Sequence, residues 1–123
     1  MSFCHVILTV KDLDASIKFY RDIVGLPIKI RQHAGPAVEI AFMGDGGTLI
    51  ELFCGKSPFC DEINRVGNGV ALGFSVESLE EKISLLHENG YETDGNIISP
   101  APTVQFVLAK DPDGYIVQFN KRQ

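Results

Sequence analysis

Glu51 stands in mid-strand between Ile50 and Leu52, in the run TLIELFC (48–54). Burying an unpaired charge among apolar neighbours is costly, so a carboxylate at this point is a candidate for chemistry. His5, in HVILTV (5–10), is a second polar group on an otherwise apolar strand. Imidazole and carboxylate are the side-chain types that ligate metal ions and move protons. Both have counterparts, because the chain repeats itself. Residues 5–26, HVILTVKDLDASIKFYRDIVGL, share the layout of 71–91, ALGFSVESLEEKISLLHENGY, at a shift of 66. Val10 falls on Val76, Leu13 on Leu79, Ile17 on Ile83 and Tyr20 on Leu86. At a shift of 67, GGTLIELF (46–53) falls on DGYIVQFN (113–120) and AVEIAFM (37–43) on VQFVLAK (104–110). The four related positions are therefore His5, Glu51, Ala71 and Gln118. Two copies make a paired module and not a solenoid.

The elements that must carry these residues follow from periodicity. Along 5–10, Val6, Leu8 and Val10 face one way and His5, Ile7 and Thr9 the other, which is a strand with two different faces. Asp12 is placed to cap a helix. Leu13, Ile17, Tyr20 and Val24 then form an apolar stripe at helical spacing. Gly25 ends that helix and Pro27 forbids its continuation. Further strands are expected at 28–32, 37–43 and 48–54, with the turns HAGP (33–36) and MGDGG (43–47) between them. In the second copy a strand at 70–76 leads to the capping box Ser78-x-x-Glu81. Leu79, Ile83 and Leu86 form the buried stripe, and Gly90 is the stop. A weak strand at 91–95 and an irregular, proline-rich loop, NIISPAP (96–102), come next. Strands at 103–110 and 114–120 are joined by the tight turn DPDG (111–114).

Residues 55–69, GKSPFCDEINRVGNG, have no periodicity and read as a linker between the modules. They are long for a plain loop, so they could also cover something. Each module reads strand–helix–strand–strand–strand, and a four-stranded sheet with one helix buries only one face. The expectation is an α+β fold, one domain over 1–123. Module one is 1–54, the linker 55–69 and module two 70–123. The two curved sheets are expected to form an incomplete barrel around a central cleft. Ala71, Gly73 and Ser75 would face that cleft from the first strand of module two.

This layout resembles the vicinal oxygen chelate superfamily, which includes glyoxalase I, bleomycin-resistance proteins, fosfomycin-resistance enzymes and extradiol dioxygenases. HVILTVKDLDASIKFYRDIVGL is similar to the family's opening strand and helix, and DPDGYIVQF to its closing hairpin. The resemblance implies metal ligands on the first and last strand of each module, here His5, Glu51, Ala71 and Gln118. Ala71 cannot ligate. Gln118 stands where a glutamate is usual; its amide oxygen can coordinate a cation but is a poor base. One reading has His5, Glu51 and Gln118 holding a divalent cation (Zn, Ni, Co or Mn), which polarises adjacent substrate oxygens and stabilises an enediolate. Glu51 is then the general base. In another reading His5 and Glu51 simply hydrogen-bond each other in a polar cleft. The implied function is a divergent glyoxalase-like protein, a metal-assisted lyase or isomerase moving a proton on a substrate with vicinal oxygens. The alternative is a metal-free small-molecule (drug) binding or resistance protein of the bleomycin-resistance type. An extradiol dioxygenase needs a second histidine, which Ala71 denies. Family members of this length imply a homodimer.

Other candidates carry less. Adjacent strand residues face opposite sides, so Cys4 should not share a ligand sphere with His5 and reads as a small buried hydrophobe. Cys54 and Cys60 match no zinc spacing. His33 in a turn and His87 at a helix C-terminus read as solvated, and Tyr20 and Tyr115 as structural. Glu39 could face either side. The net charge of −5 argues against nucleic acid, and no apolar run is long enough for a membrane span. Three cysteines without framework spacing, and no leader in MSFCHVILTV, point to reduced thiols in the cytoplasm.

Overall fold

In the computed structural model, residues 2–58, 60, 61, 64, 70–93 and 97–122 are described. The chain divides into two compact units, Met1–Asn68 and Gly69–Gln123. Each has the strand–helix–strand–strand–strand order expected from the repeat, so the fold is α+β with two repeated modules.

Module one runs β1 (His5–Val10), α1 (Leu13–Lys18), β2 (Ile28–His33), β3 (Val38–Met43) and β4 (Leu49–Gly55). Its sheet order is β1-β4-β3-β2, with β1 parallel to β4 and the other pairs antiparallel. Asp12 caps α1, accepting from the Ala15 amide at 3.1 Å. The helix continues as π-helical turns over Phe19–Val24 and stops at Gly25, whose φ of 96° suits a residue without Cβ. The wider π turn rotates the last residues, so Ile23 and not Val24 is buried beside Leu13, Ile17 and Tyr20. This helix packs on β3 and β4, against the face that carries Ala41, Met43 and Leu52, all fully buried. Met43 and Leu52 each contribute about 1.5–3 kcal/mol when taken out of water.

The stretch expected to join the modules contains helical turn at the positions described. Pro58, Cys60, Asp61 and Asn64 have helical backbone. Ser57 starts the turn, its hydroxyl accepting from the Cys60 amide at 3.1 Å and its carbonyl from the Asp61 amide at 3.2 Å. Asn64 reaches β1, accepting from Thr9 Oγ1 at 2.6 Å.

Module two runs β5 (Ala71–Ser75), α2 (Leu79–Glu88), β6 (Ile98–Ala101), β7 (Val104–Lys110) and β8 (Ile116–Arg122), in sheet order β5-β8-β7-β6. Ser78 caps α2 through the Glu81 amide at 3.2 Å. Leu79 and Leu86 are buried on that helix, and Val107, Ala109, Val117 and Phe119 on the sheet. The second strand of this module lies at Ile98–Ala101, inside the stretch expected to be an irregular loop. The expected strand at 91–95 is reduced, over its described residues, to a single bridge from Thr93 to Ala109; 94 and 95 lie outside the described residues. Pro100 misled the sequence reading. β6 is an edge strand, where a proline's missing N–H removes no required ladder bond. Asp111 closes the last hairpin, its Oδ1 accepting from the amides of Asp113 and Tyr115, each at 2.9 Å.

Candidate functional site

The parallel register of β1 and β4 sets His5 beside Leu49 and Ile7 beside Glu51. His5 and Glu51 are thus on one face, one diagonal step apart, and that face is opposite the one packed by α1. The start of β1 is pinned by Thr48, whose hydroxyl donates to Phe3 O at 2.7 Å, and by the Leu49 amide donating to Cys4 O at 2.9 Å. From these anchors the two side chains meet: His5 Nε2 lies 3.4 Å from Glu51 Oε1. Glu51 is only 8% exposed, which makes this imidazole the polar group that offsets its desolvation. Phe42 stands beside Glu51 in the register of β3 and β4. Its ring meets His5 edge-on, with centroids 5.5 Å apart at 81°. This arrangement holds the imidazole plane and keeps the carboxylate in apolar surroundings. The sequence reading passed over Phe42, although the period-two pattern of VEIAFM puts it on the Glu51 face.

Cys4 departs from expectation. It is exposed, not buried, and its Sγ is 3.4 Å from His5 Nδ1. Strand alternation does not bind it, because β1 begins only at His5. The sulfur approaches the ring nitrogen opposite the one facing Glu51, so thiol and carboxylate do not share a donor atom.

In module two the same register holds. Ala71 lies beside Ile116 and Gly73 beside Gln118. Ala71 is exposed and carries no donor. Gln118 Oε1 accepts from Asn120 Nδ2 at 3.2 Å. Sequence reasoning missed Asn120, yet it lies two residues beyond Gln118 on one strand and so on the same face.

The remaining candidates sort by their contacts. Glu39 belongs to the helix-packed face of module one. Arg31 Nε donates to Glu39 Oε2 at 2.8 Å, and its Nη1 donates to Asp14 of α1 at the same distance. The Arg31 hydrogen bond holds the Glu39 carboxyl below its usual value of 4.5. Cys54 donates weakly to Lys11 O at 3.6 Å, and Cys60 is buried. His33 and His87 are exposed, as expected, although His33 ends β2 instead of sitting in the turn.

Among the described residues no three His, Cys, Asp or Glu side chains gather in a metal-holding group. The donor chemistry of module one nonetheless suits a cation. Two donors on one tetrahedral zinc, with bonds of about 2.0–2.1 Å, stand about 3.4 Å apart, which matches the separation of His5 Nε2 and Glu51 Oε1. Module two fits less well. Ala71 offers nothing, and Gln118 has already committed one lone pair to Asn120.

A duplicated βαβββ unit with a histidine–carboxylate pair between the first and last strands of one copy defines the class. The sequence profile of the Glyoxalase/Bleomycin resistance protein/Dioxygenase superfamily matches residues 2–119. The chain belongs to that superfamily. It is 29% identical over 128 residues to a lactoylglutathione lyase of Haemophilus influenzae, covering 97% of this chain and 91% of the relative. A glyoxalase family protein from Bacillus cereus superposes with a TM-score of 0.79 at 23% identity, over 96% of this chain and 91% of its own. An antibiotic binding protein from a Streptomyces strain superposes with a TM-score of 0.72 at 18% identity, over 100% and 97%. These two likenesses show a shared fold.

Proposed function

We propose that the chain is a divergent glyoxalase-like protein acting on a small molecule with adjacent oxygens, with Glu51 as the general base that moves a proton. The observation that carries this reading is the 3.4 Å approach of His5 to a carboxylate with 8% exposure, on the sheet face that α1 leaves uncovered. Glu51 is the sole carboxylate among the four repeat-related positions. An amide cannot accept a proton usefully at neutral pH, so Gln118 cannot substitute for it. His5 turns its Nε2 to one carboxylate oxygen, and Phe42 limits the ring's swing. A divalent cation held by His5 and Glu51 would supply Lewis-acid polarisation of the substrate oxygens. The relative named lactoylglutathione lyase supports this direction.

The test combines binding and chemistry. Chelator-treated protein is titrated with Ni or Zn by calorimetry. Exchange of the lactoyl C–H of S-lactoylglutathione with D2O is then followed by NMR. Stoichiometric binding lost in His5→Ala, with exchange lost in Glu51→Gln, is the expected result. Exchange unaffected by Glu51→Gln would overturn the role of the base.

A second reading is metal-free binding of a drug-sized molecule, as in bleomycin-resistance proteins. The Ala71 gap and the Gln118–Asn120 hydrogen bond favour it, and the same fold serves antibiotic binding in the Streptomyces protein. Ligand binding without metal uptake, intact in His5→Ala, is its signature. We further propose a cytoplasmic homodimer. The three cysteines are free thiols, as a reducing compartment favours, and light scattering reads the mass directly. Among the described residues no helix is long and apolar enough to cross a membrane.

A further inference from the structure

Module two carries an uncharged polar array of its own. Gln118 and Asn120 share a face of β8. Register places Gly73 and Ser75 of β5 beside them on one side, and Leu108 and Phe106 of β7 on the other. Gly73 and Ser75 are exposed, whereas Gln118, Asn120, Phe106 and Leu108 are half-buried. The bond from Asn120 Nδ2 to Gln118 Oε1 uses one donor group and one acceptor, and so decides what is left to offer. The Gln118 amide N–H pair and the Asn120 amide oxygen are wholly unengaged by it, beside one further Asn120 N–H and one further Gln118 lone pair, with the Ser75 hydroxyl on the neighbouring strand. Neither amide makes another side-chain hydrogen bond among the described residues. A Cβ at Gly73 would stand 3.4 Å from Gln118 Oε1 and 3.6 Å from Asn120 Nδ2. The absent side chain therefore leaves the β5 side of the amide pair free of that contact. Apolar walls with a few placed polar groups are the usual make-up of a small-molecule site.

We propose that this face of module two recognises the edge of a neutral planar amide, a carboxamide or lactam. The ligand N–H donates to Asn120 Oδ1 and its carbonyl accepts from Gln118 Nε2. Its flat body lies across Gly73 toward Phe106 and Leu108. The polar groups here carry no formal charge, so neither a cation nor an anion is favoured over a matched neutral donor–acceptor pair. The inference stands on module two alone and does not require proton transfer at Glu51.

The experiment titrates the nitrogen-15-labelled full chain with 2-pyrrolidinone and follows the side-chain amide signals of Gln118 and Asn120. N-Methyl-2-pyrrolidinone, which lacks the N–H, is the control. Saturable shifts with the first, weakened about 3- to 10-fold with the second as expected for one lost hydrogen bond, support the assignment. Gly73→Val, which is compatible with a strand, should abolish both while leaving the backbone spectrum intact. Gln118→Ala should abolish the shifts at Asn120. Non-saturating shifts, equal response to both probes, or full response in Gly73→Val would overturn the proposal. His5→Ala should leave lactam binding unchanged, so failure here is distinct from failure of the proton-transfer reading.

Discussion

Replacing His5 by alanine withdraws the imidazole that stands 3.4 Å from a carboxylate exposed to only 8%. Glu51 then loses its polar partner while Ile7 and Phe42 remain its register neighbours. A buried polar group left without its partner costs about 1–3 kcal/mol, so His5→Ala should lower stability by that amount. Glu51→Gln keeps the size and an oxygen facing His5 but sheds the charge. It should stay within about 1 kcal/mol of wild type, because relief of desolvation offsets the lost attraction. In the double variant no buried charge remains, so the combined loss should be smaller than the sum of the single ones by about 0.5–3 kcal/mol. Urea unfolding followed by circular dichroism gives all four free energies, and equal slopes would show that the compactness of the states is unchanged. If the effects add to within about 0.3–0.5 kcal/mol, His5 and Glu51 are not coupled. The pairing that underlies the proposed chemistry would then be refuted.

Two further outcomes follow from the scaffold. Gly55 has φ of 140°, and a Cβ there would overlap Ala37 O and lie 2.8 Å from Val38 Cα; Gly55→Ala should therefore cost about 2–3 kcal/mol, and an unchanged melting temperature would contradict the close approach of the two strands. Glu39→Gln removes a carboxylate whose folded pKa Arg31 holds below 4.5. A depressed carboxylate contributes stability above its unfolded pKa and loses it as pH falls through the folded one. The variant should thus be less stable than wild type at pH 7, and the difference should vanish on acidification below that folded value. A difference independent of pH would rule out the ion pair as its source.

The amino-acid sequence determined the duplication, and with it the order of elements in each module. Apolar residues recurring at helical spacing and strands alternating at period two leave little freedom once one face must be buried. Capping by Asp12 and Ser78 and the stop at Gly25 were legible because each rests on the local chemistry of a few residues. Alternation gave the faces within each strand, but putting His5 and Glu51 on a common face took the parallel register of β1 on β4. Tertiary structure alone decided the contacts that span elements or lie where the burial pattern is weak. The edge strand β6 is exposed throughout, so no hydrophobic alternation announces it. The partner of Glu39 depended on an arginine eight residues away and on the docking of α1. The exposure of Cys4 depended on where β1 begins. The 3.4 Å approach of His5 to Glu51 and the hydrogen bond between Gln118 and Asn120 are set by strand register and rotamer choice. A pattern can place residues on a face, but it cannot make them touch; packing does that.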